Sequence, residues 1–101
     1  MPAYFVFHNR VNDEDAMQAY VPPAVETLAA YGAEILVLSE NSDVIEGTTG
    51  LPRTVIIKFE SRERAEAWYN CPEYRAVLPI RLDATEGFAM LVDGFEAPAP
   101  A

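Results

Sequence analysis

The sequence predicts a single α+β domain of βαββαβ order. Four short runs of β-branched and aromatic residues, capped stretches of helical spacing between them, and the same order of features in both halves support that reading. The chain of 101 residues suits one domain and buries roughly two thirds of its unfolded surface. Residues 1–95 are expected to form it, with 96–101, Glu96-Ala97-Pro98-Ala99-Pro100-Ala101, as a flexible low-complexity tail.

The first strand is expected over Tyr4-Phe5-Val6-Phe7-His8, which is dense in strand-forming residues. Asn12-Asp13-Glu14-Asp15 then opens a helix, because a short polar cap and acidic side chains suit the positive end of the helix dipole. Met17, Tyr20, Val21, Val25 and Leu28 follow at helical spacing. Pro22-Pro23 predicts a bend that divides this helix into two pieces, and Gly32 closes it in the left-handed conformation.

Glu34-Ile35-Leu36-Val37-Leu38 is the second strand, with Val44-Ile45-Glu46 continuing it after a break. Gly47 to Pro52 is a loop, and Thr54 to Phe59 the third strand. Ser61 caps the next helix, which presents Ala65, Trp68 and Tyr69 on one face. Pro72 suits the first turn of a further helical piece carrying Tyr74, Val77 and Leu78. Phe88 to Val92 is the fourth strand, ended by Asp93-Gly94. Tyr20 before Pro22 and Tyr69 before Pro72 mark the same place in two βαβ halves, which is the ferredoxin-like plan.

Alternation along the strands leaves neither sheet face polar. Phe5 and Phe7 oppose Tyr4, Val6 and His8; Val55, Ile57 and Phe59 oppose Thr54, Ile56 and Lys58; Ala89 and Leu91 oppose Phe88, Met90 and Val92. Helices cover one face only, and an apolar patch of that size is rarely left open, so a two-fold homodimer through the other face is expected. His8 and Lys58 are expected to share that uncovered face.

Charge narrows the partners. Sixteen acidic and 7 basic residues give a net −9, which argues against nucleic acid and against an anionic membrane surface. No apolar run reaches the ~20 residues of a membrane span, and Met1-Pro2-Ala3 lacks a basic leader region, so a cytoplasmic location is expected.

Chemistry-bearing residues are few. His8 is the single histidine and the candidate acid/base, against the plainer reading of a packed strand residue. Cys71 stands alone before Pro72; it excludes an internal disulfide and reads more simply as a small capping residue than as a nucleophile. Glu46 before Gly47 is a candidate carboxylate at a cavity rim, or an ordinary strand-end residue. Arg81 falls on the side of Tyr74, Val77 and Leu78, where it would hold an anionic ligand or pair with Glu46 or Glu60. No metal or nucleotide motif occurs, no metal or other cofactor is expected, and one histidine without a second ligand pattern is a weak basis for haem.

Phe59-Glu60-Ser61, Ala65, Trp68-Tyr69, Cys71-Pro72-Glu73-Tyr74 and Arg81 together resemble the family called domain of unknown function 1330, as do Glu46-Gly47, Tyr20 and Ala30-Tyr31-Gly32. The resemblance spans about residues 4 to 95. It implies the dimeric α/β-barrel superfamily, whose ferredoxin-like subunits pair sheet to sheet and include cofactor-free monooxygenases, lactone isomerases and haem-degrading enzymes. The chain departs from the family pattern at Cys71, where Ser is usual, and at Ala33, where Gly is usual.

Two functions fit these observations. In the first, a homodimer binds a small, partly apolar or anionic molecule between sheet and helices, with Tyr20, Trp68 and Tyr74 as walls and Arg81 or Lys58 as anion holder; an enzymatic version uses His8 as acid/base. In the second, the chain is a non-catalytic interaction or stress-related protein whose polar cluster fixes the dimer. A closed pocket reached by His8, Glu46 and Arg81 together would favour the first, and dry packing there the second.

Overall fold

The pleat of the first strand decides where everything else packs. In the computed structural model, which describes residues 1–98, β1 (Ala3–Val11) turns Ala3, Phe5, Phe7 and Asn9 inward and Tyr4, Val6 and His8 outward. The remaining elements are α1 (Glu14–Ala30), β2 (Glu34–Ser39), β3 (Arg53–Phe59), α2 (Arg62–Asn70), α3 (Pro72–Ala84) and β4 (Thr85–Asp93). The strands form one antiparallel sheet in the order β2-β3-β1-β4, and the fold is the expected ferredoxin-like α+β arrangement.

The three helices lie on the Phe5/Phe7 face. Phe5, Phe59, Trp68 and Tyr74 form the centre of the core, with Trp68 and Tyr74 ring centroids 4.1 Å apart and Phe59 5.4 Å from Trp68. α1 packs chiefly along α3, whereas α2 sits over β1 and β4. The other face stays open. It carries Tyr4, Val6, His8, Thr54, Ile56, Lys58, Phe88, Met90 and Val92 in register, and Phe88 and Met90 are 48% and 47% exposed.

Local chemistry explains the element ends. The Asp13 carboxylate accepts from the Ala16 amide at 3.1 Å and caps α1, and Ser61 does the same for α2 through the Arg64 amide at 3.1 Å. Gly32 takes a φ of 68°, and the Ala33 and Gly32 amides reach back to the Leu28 and Ala29 carbonyls, so α1 closes in a Schellman turn. Cys71 occupies the cap position of α3 but forms no cap hydrogen bond through its side chain; it is buried in the core.

The expected division into two helical pieces is absent. α1 runs unbroken through Pro22 and Pro23. Each proline removes one backbone donor, and the carbonyls that lose it belong to Gln18 and Ala19, exposed residues whose carbonyls water can satisfy. The Val44-Ile45-Glu46 strand is also absent. β3 begins pairing opposite Ser39, so the segment has no neighbouring strand, and Ile45 is 89% exposed. β1 and β4 run longer than expected, since Asn9 to Val11 pair with Thr85 to Gly87. Beyond β4, residues 96–98 have no regular structure and 99–101 of the expected tail lie outside the described residues.

One glycine is required by close approach. Gly87 in β4 has a φ of 139°, and a Cβ added there would stand 2.7 Å from the Asn9 Cα. Gly87→Ala should therefore destabilise the fold by at least ~2 kcal/mol, seen as a urea midpoint shift at unchanged slope. An unaltered midpoint would show that the β1–β4 ladder yields without cost.

Candidate functional site

A cavity of about 60 Å3 opens between α1 and the β2–β3 half of the sheet. Because α1 leans on α3, its outer face does not close over β2. Phe7, Val55 and Ile57 form the floor, Met17, Ala24 and Leu28 one wall, and Trp68 adds to the inner end. Val21, Val25, Ile35 and Leu38 ring the mouth and are partly exposed there. A β-bulge at Leu36 puts Ile35 and Leu38 on the same face, opposite Ile57 and Val55, where strict alternation would separate them.

Tyr20, Arg53 and Arg81 bring polar groups to this apolar cavity. Arg53 is satisfied: its Nε donates to Glu40 Oε1 at 3.0 Å and a terminal nitrogen to Asn9 Oδ1 at 3.4 Å. Arg81 is different. It is 7% exposed, its Nε donates to the Tyr74 hydroxyl at 3.3 Å, and its guanidinium lies 5.0 Å over the Phe7 ring. The expected pairing with Glu46 or Glu60 does not occur, because Glu46 lies exposed in the loop after β2 and Glu60 is exposed at the end of β3. Among the described residues no carboxylate forms an ion pair with Arg81.

Tyr74 hydroxyl also meets Tyr20 hydroxyl at 2.7 Å. Burial pushes the Tyr20 phenol well above its usual range, with Tyr74 adding to the effect, so Tyr20 stays protonated. Burial works against the Arg81 charge, but the oxygens of Tyr74 and Tyr20 offset it and the guanidinium remains a cation. Trp68 is held within the core, its indole Nε1 donating to Thr27 Oγ1 at 2.9 Å.

The candidates read from sequence are thus divided by the sheet. Tyr20, Trp68, Tyr74 and Arg81 come together on the helix side, with Tyr74 behind the cavity lining rather than in it. His8 and Lys58 share the open face, as expected from alternation. They stand four positions apart along β3, since His8 pairs with Thr54, which places them about 13 Å apart. Glu46 joins neither group. A pocket reached by His8, Glu46 and Arg81 together does not form.

His8 has its own surroundings. Its Nδ1 lies 3.2 Å from Thr54 Oγ1 and its Nε2 2.8 Å from Thr49 Oγ1, while Ser42 Oγ approaches Thr54 at 2.6 Å. Phe88 packs against the imidazole with centroids 5.7 Å apart. Both ring nitrogens are engaged by hydroxyls. Cys71, with Tyr31, Arg64 and Glu73, borders a broader and more open surface depression. Among the described residues no group of three or more His, Cys, Asp or Glu side chains could hold a metal, and no helix is long and apolar enough to cross a membrane.

Arg53, Asn9 and Thr27 were missed from sequence, although all three are buried. The signal existed for two of them: Arg53 shares the parity of Val55 and Ile57, and Asn9 that of Phe5 and Phe7.

Solved structures share this fold. A protein of unknown function from Rhodopseudomonas palustris superposes with a TM-score of 0.80 at 14% identity, covering 95% of this chain and 84% of its own. A dimeric ferredoxin-like protein of unknown function from Jannaschia gives 0.66 at 16% identity over 95% and 100% of the two chains. A Caulobacter crescentus protein provisionally described as an antibiotic biosynthesis monooxygenase gives 0.58 at 11% identity over 94% and 89%. No curated protein matches the sequence. A family model described as a domain of unknown function (DUF1330) matches residues 2–95, and with nearly the whole chain inside it the protein belongs to that family.

Proposed function

We propose that the protein is a homodimeric domain that binds a small, partly apolar molecule in the cavity between α1 and the sheet, with Arg81 as the anchor for its polar end. The observation that carries this reading is a buried guanidinium lining an apolar cavity with no carboxylate paired to it among the described residues. A structural ion pair would account for such an arginine in most cores, and none is formed here. The neighbours of Arg81 are the phenol oxygens of Tyr74 and Tyr20 and the Phe7 ring, none of which carries the formal negative charge of an ion-pair partner.

Pairing is the second part of the proposal. The apolar open face and the dimeric state of the Jannaschia neighbour both support sheet-to-sheet association. In that dimer His8, with Thr49, Thr54 and Ser42, becomes a polar cluster inside the seam. This favours a structural role for His8 over acid/base catalysis, because both ring nitrogens already have hydroxyl partners. Lys58 lies on the same face, between Tyr4 and Glu34, and is a seam residue in this reading rather than a cavity residue. The acidic composition and a single free, buried cysteine suit a cytoplasmic location without nucleic-acid or membrane partners.

Light scattering should give twice the chain mass of 11.2 kDa, and Met90→Glu should return the protein to a monomer. A wild type of single-chain mass would remove the pairing. A thermal-shift screen of metabolite classes should find ligands that raise the melting temperature by mass action; a screen in which no class does so would sink the binding reading. Arg81→Met should keep stability within about 1 kcal/mol of wild type in the absence of ligand, because a buried charge together with its phenol contacts is exchanged for an apolar side chain of similar volume. A loss of several kcal/mol would assign Arg81 to the scaffold.

A further inference from the structure

The hydrogen bonds around Arg81 have a direction that can be worked out. Tyr74 is fully buried, and among the described residues its hydroxyl has two partners, the Arg81 Nε and the Tyr20 hydroxyl. Arginine donates and never accepts, so the Tyr74 oxygen accepts from Arg81. A buried hydroxyl proton needs an acceptor, and the Tyr20 oxygen is the one available. Tyr74 therefore donates to Tyr20. The proton of Tyr20 itself is then left over, and Tyr20 lines the cavity whereas Tyr74 does not.

Arg81 adds donors at the same place. Every fully buried side-chain nitrogen and oxygen among the described residues has a hydrogen-bond partner. Arg81 lines the cavity, and among the described residues its Nε bond to Tyr74 is its one side-chain hydrogen bond, so its terminal nitrogens are not fully sealed from solvent. The polar end of the cavity thus offers a hydroxyl proton and guanidinium protons, polarised along the order Arg81, Tyr74, Tyr20. Arg53 cannot contribute an acceptor either, since a guanidinium has none.

Resting on the reading of this cavity as a ligand site, we infer that it selects an oxyanion head, a carboxylate or an enolate, bound by Tyr20 and Arg81 together, with an apolar tail passing out between Val21 and Val25 of α1 and Ile35 and Leu38 of β2. A cavity of about 60 Å3 holds roughly four or five water positions, which suits a carboxylate and a few carbons, while the exposed apolar mouth suits the rest of the chain. A protonated amine meets a guanidinium of like charge. An alcohol offers one acceptor oxygen but no charge to the guanidinium. The head group is therefore read by charge and by donor count, and the tail by apolar surface alone.

The test is a series with one tail and several heads, hexanoate, hexanol and hexylamine, titrated by calorimetry into the full chain. Hexanoate should bind at least about tenfold more tightly than hexanol, and hexylamine should not bind. Tyr20→Phe should weaken hexanoate by about fivefold to tenfold and leave hexanol unchanged. Arg81→Met, which keeps the tail channel intact, should bring hexanoate down to the level of hexanol. Hexanol or hexylamine binding as tightly as hexanoate would overturn the oxyanion reading and leave the cavity a ligand site. Failure of all three to bind would overturn both. If Tyr20→Phe does not fold, the Arg81→Met titration alone decides the matter, because loss of the hexanoate preference supports the inference and its retention contradicts it.

Discussion

The structure depends on the alternation of β1, a central strand that is apolar on both sides. Phe5 and Phe7 on one side bring the helices down through Trp68 and Phe59. Tyr4, Val6 and His8 on the other side face no helix. A strand of this kind cannot belong to a sheet with one wet face, because either orientation leaves aromatic and β-branched side chains in water. From that constraint the two halves of the account follow: one face builds a core and a cavity, and the other is left without a helix over it.

The helix side shows how a mostly acidic chain manages its cations. Of its 7 basic residues, Arg10 pairs with Glu86, Arg53 with Glu40, and Arg62 with Asp93 and Glu66, all pairs with at least one exposed partner. Arg64 and Arg75 lie over the rings of Tyr31 and Tyr69 at the surface. Among the described residues Arg81 alone is deeply buried without an acid, although 16 are present in the chain. An exposed pair contributes at most about 1 kcal/mol. Arg81 differs in kind, because its burial is offset by phenol oxygens and a ring face and not by a carboxylate.

Much of this was legible in the residues. The pleat of β1 and β3 correctly separated the two faces, including His8 and Lys58, because period-two alternation needs no tertiary information. Caps at Asp13 and Ser61 and the left-handed Gly32 were equally local. What failed depended on context. Pro22 and Pro23 read as a break because propensity counts the lost donors and not whether water reaches the freed carbonyls. Val44-Ile45-Glu46 read as strand because its composition is right, but pairing requires a neighbour that the register does not supply. The bulge at Leu36 left no mark in the sequence, and it is what turns Ile35 and Leu38 toward the cavity mouth. Grouping His8, Glu46 and Arg81 failed because no local pattern tells which face of a sheet a helical residue will meet.

The central claim is that the two faces have separate work, ligand on the helix side and partner on the open side. Methyl chemical shifts of the isotope-labelled protein during titration with hexanoate test it most directly. The account predicts changes at Val21, Val25, Ile35 and Leu38, with Val6, Ile56 and Met90 undisturbed. Changes concentrated on Val6, Ile56 and Met90, with the α1–β2 methyls silent, would contradict it.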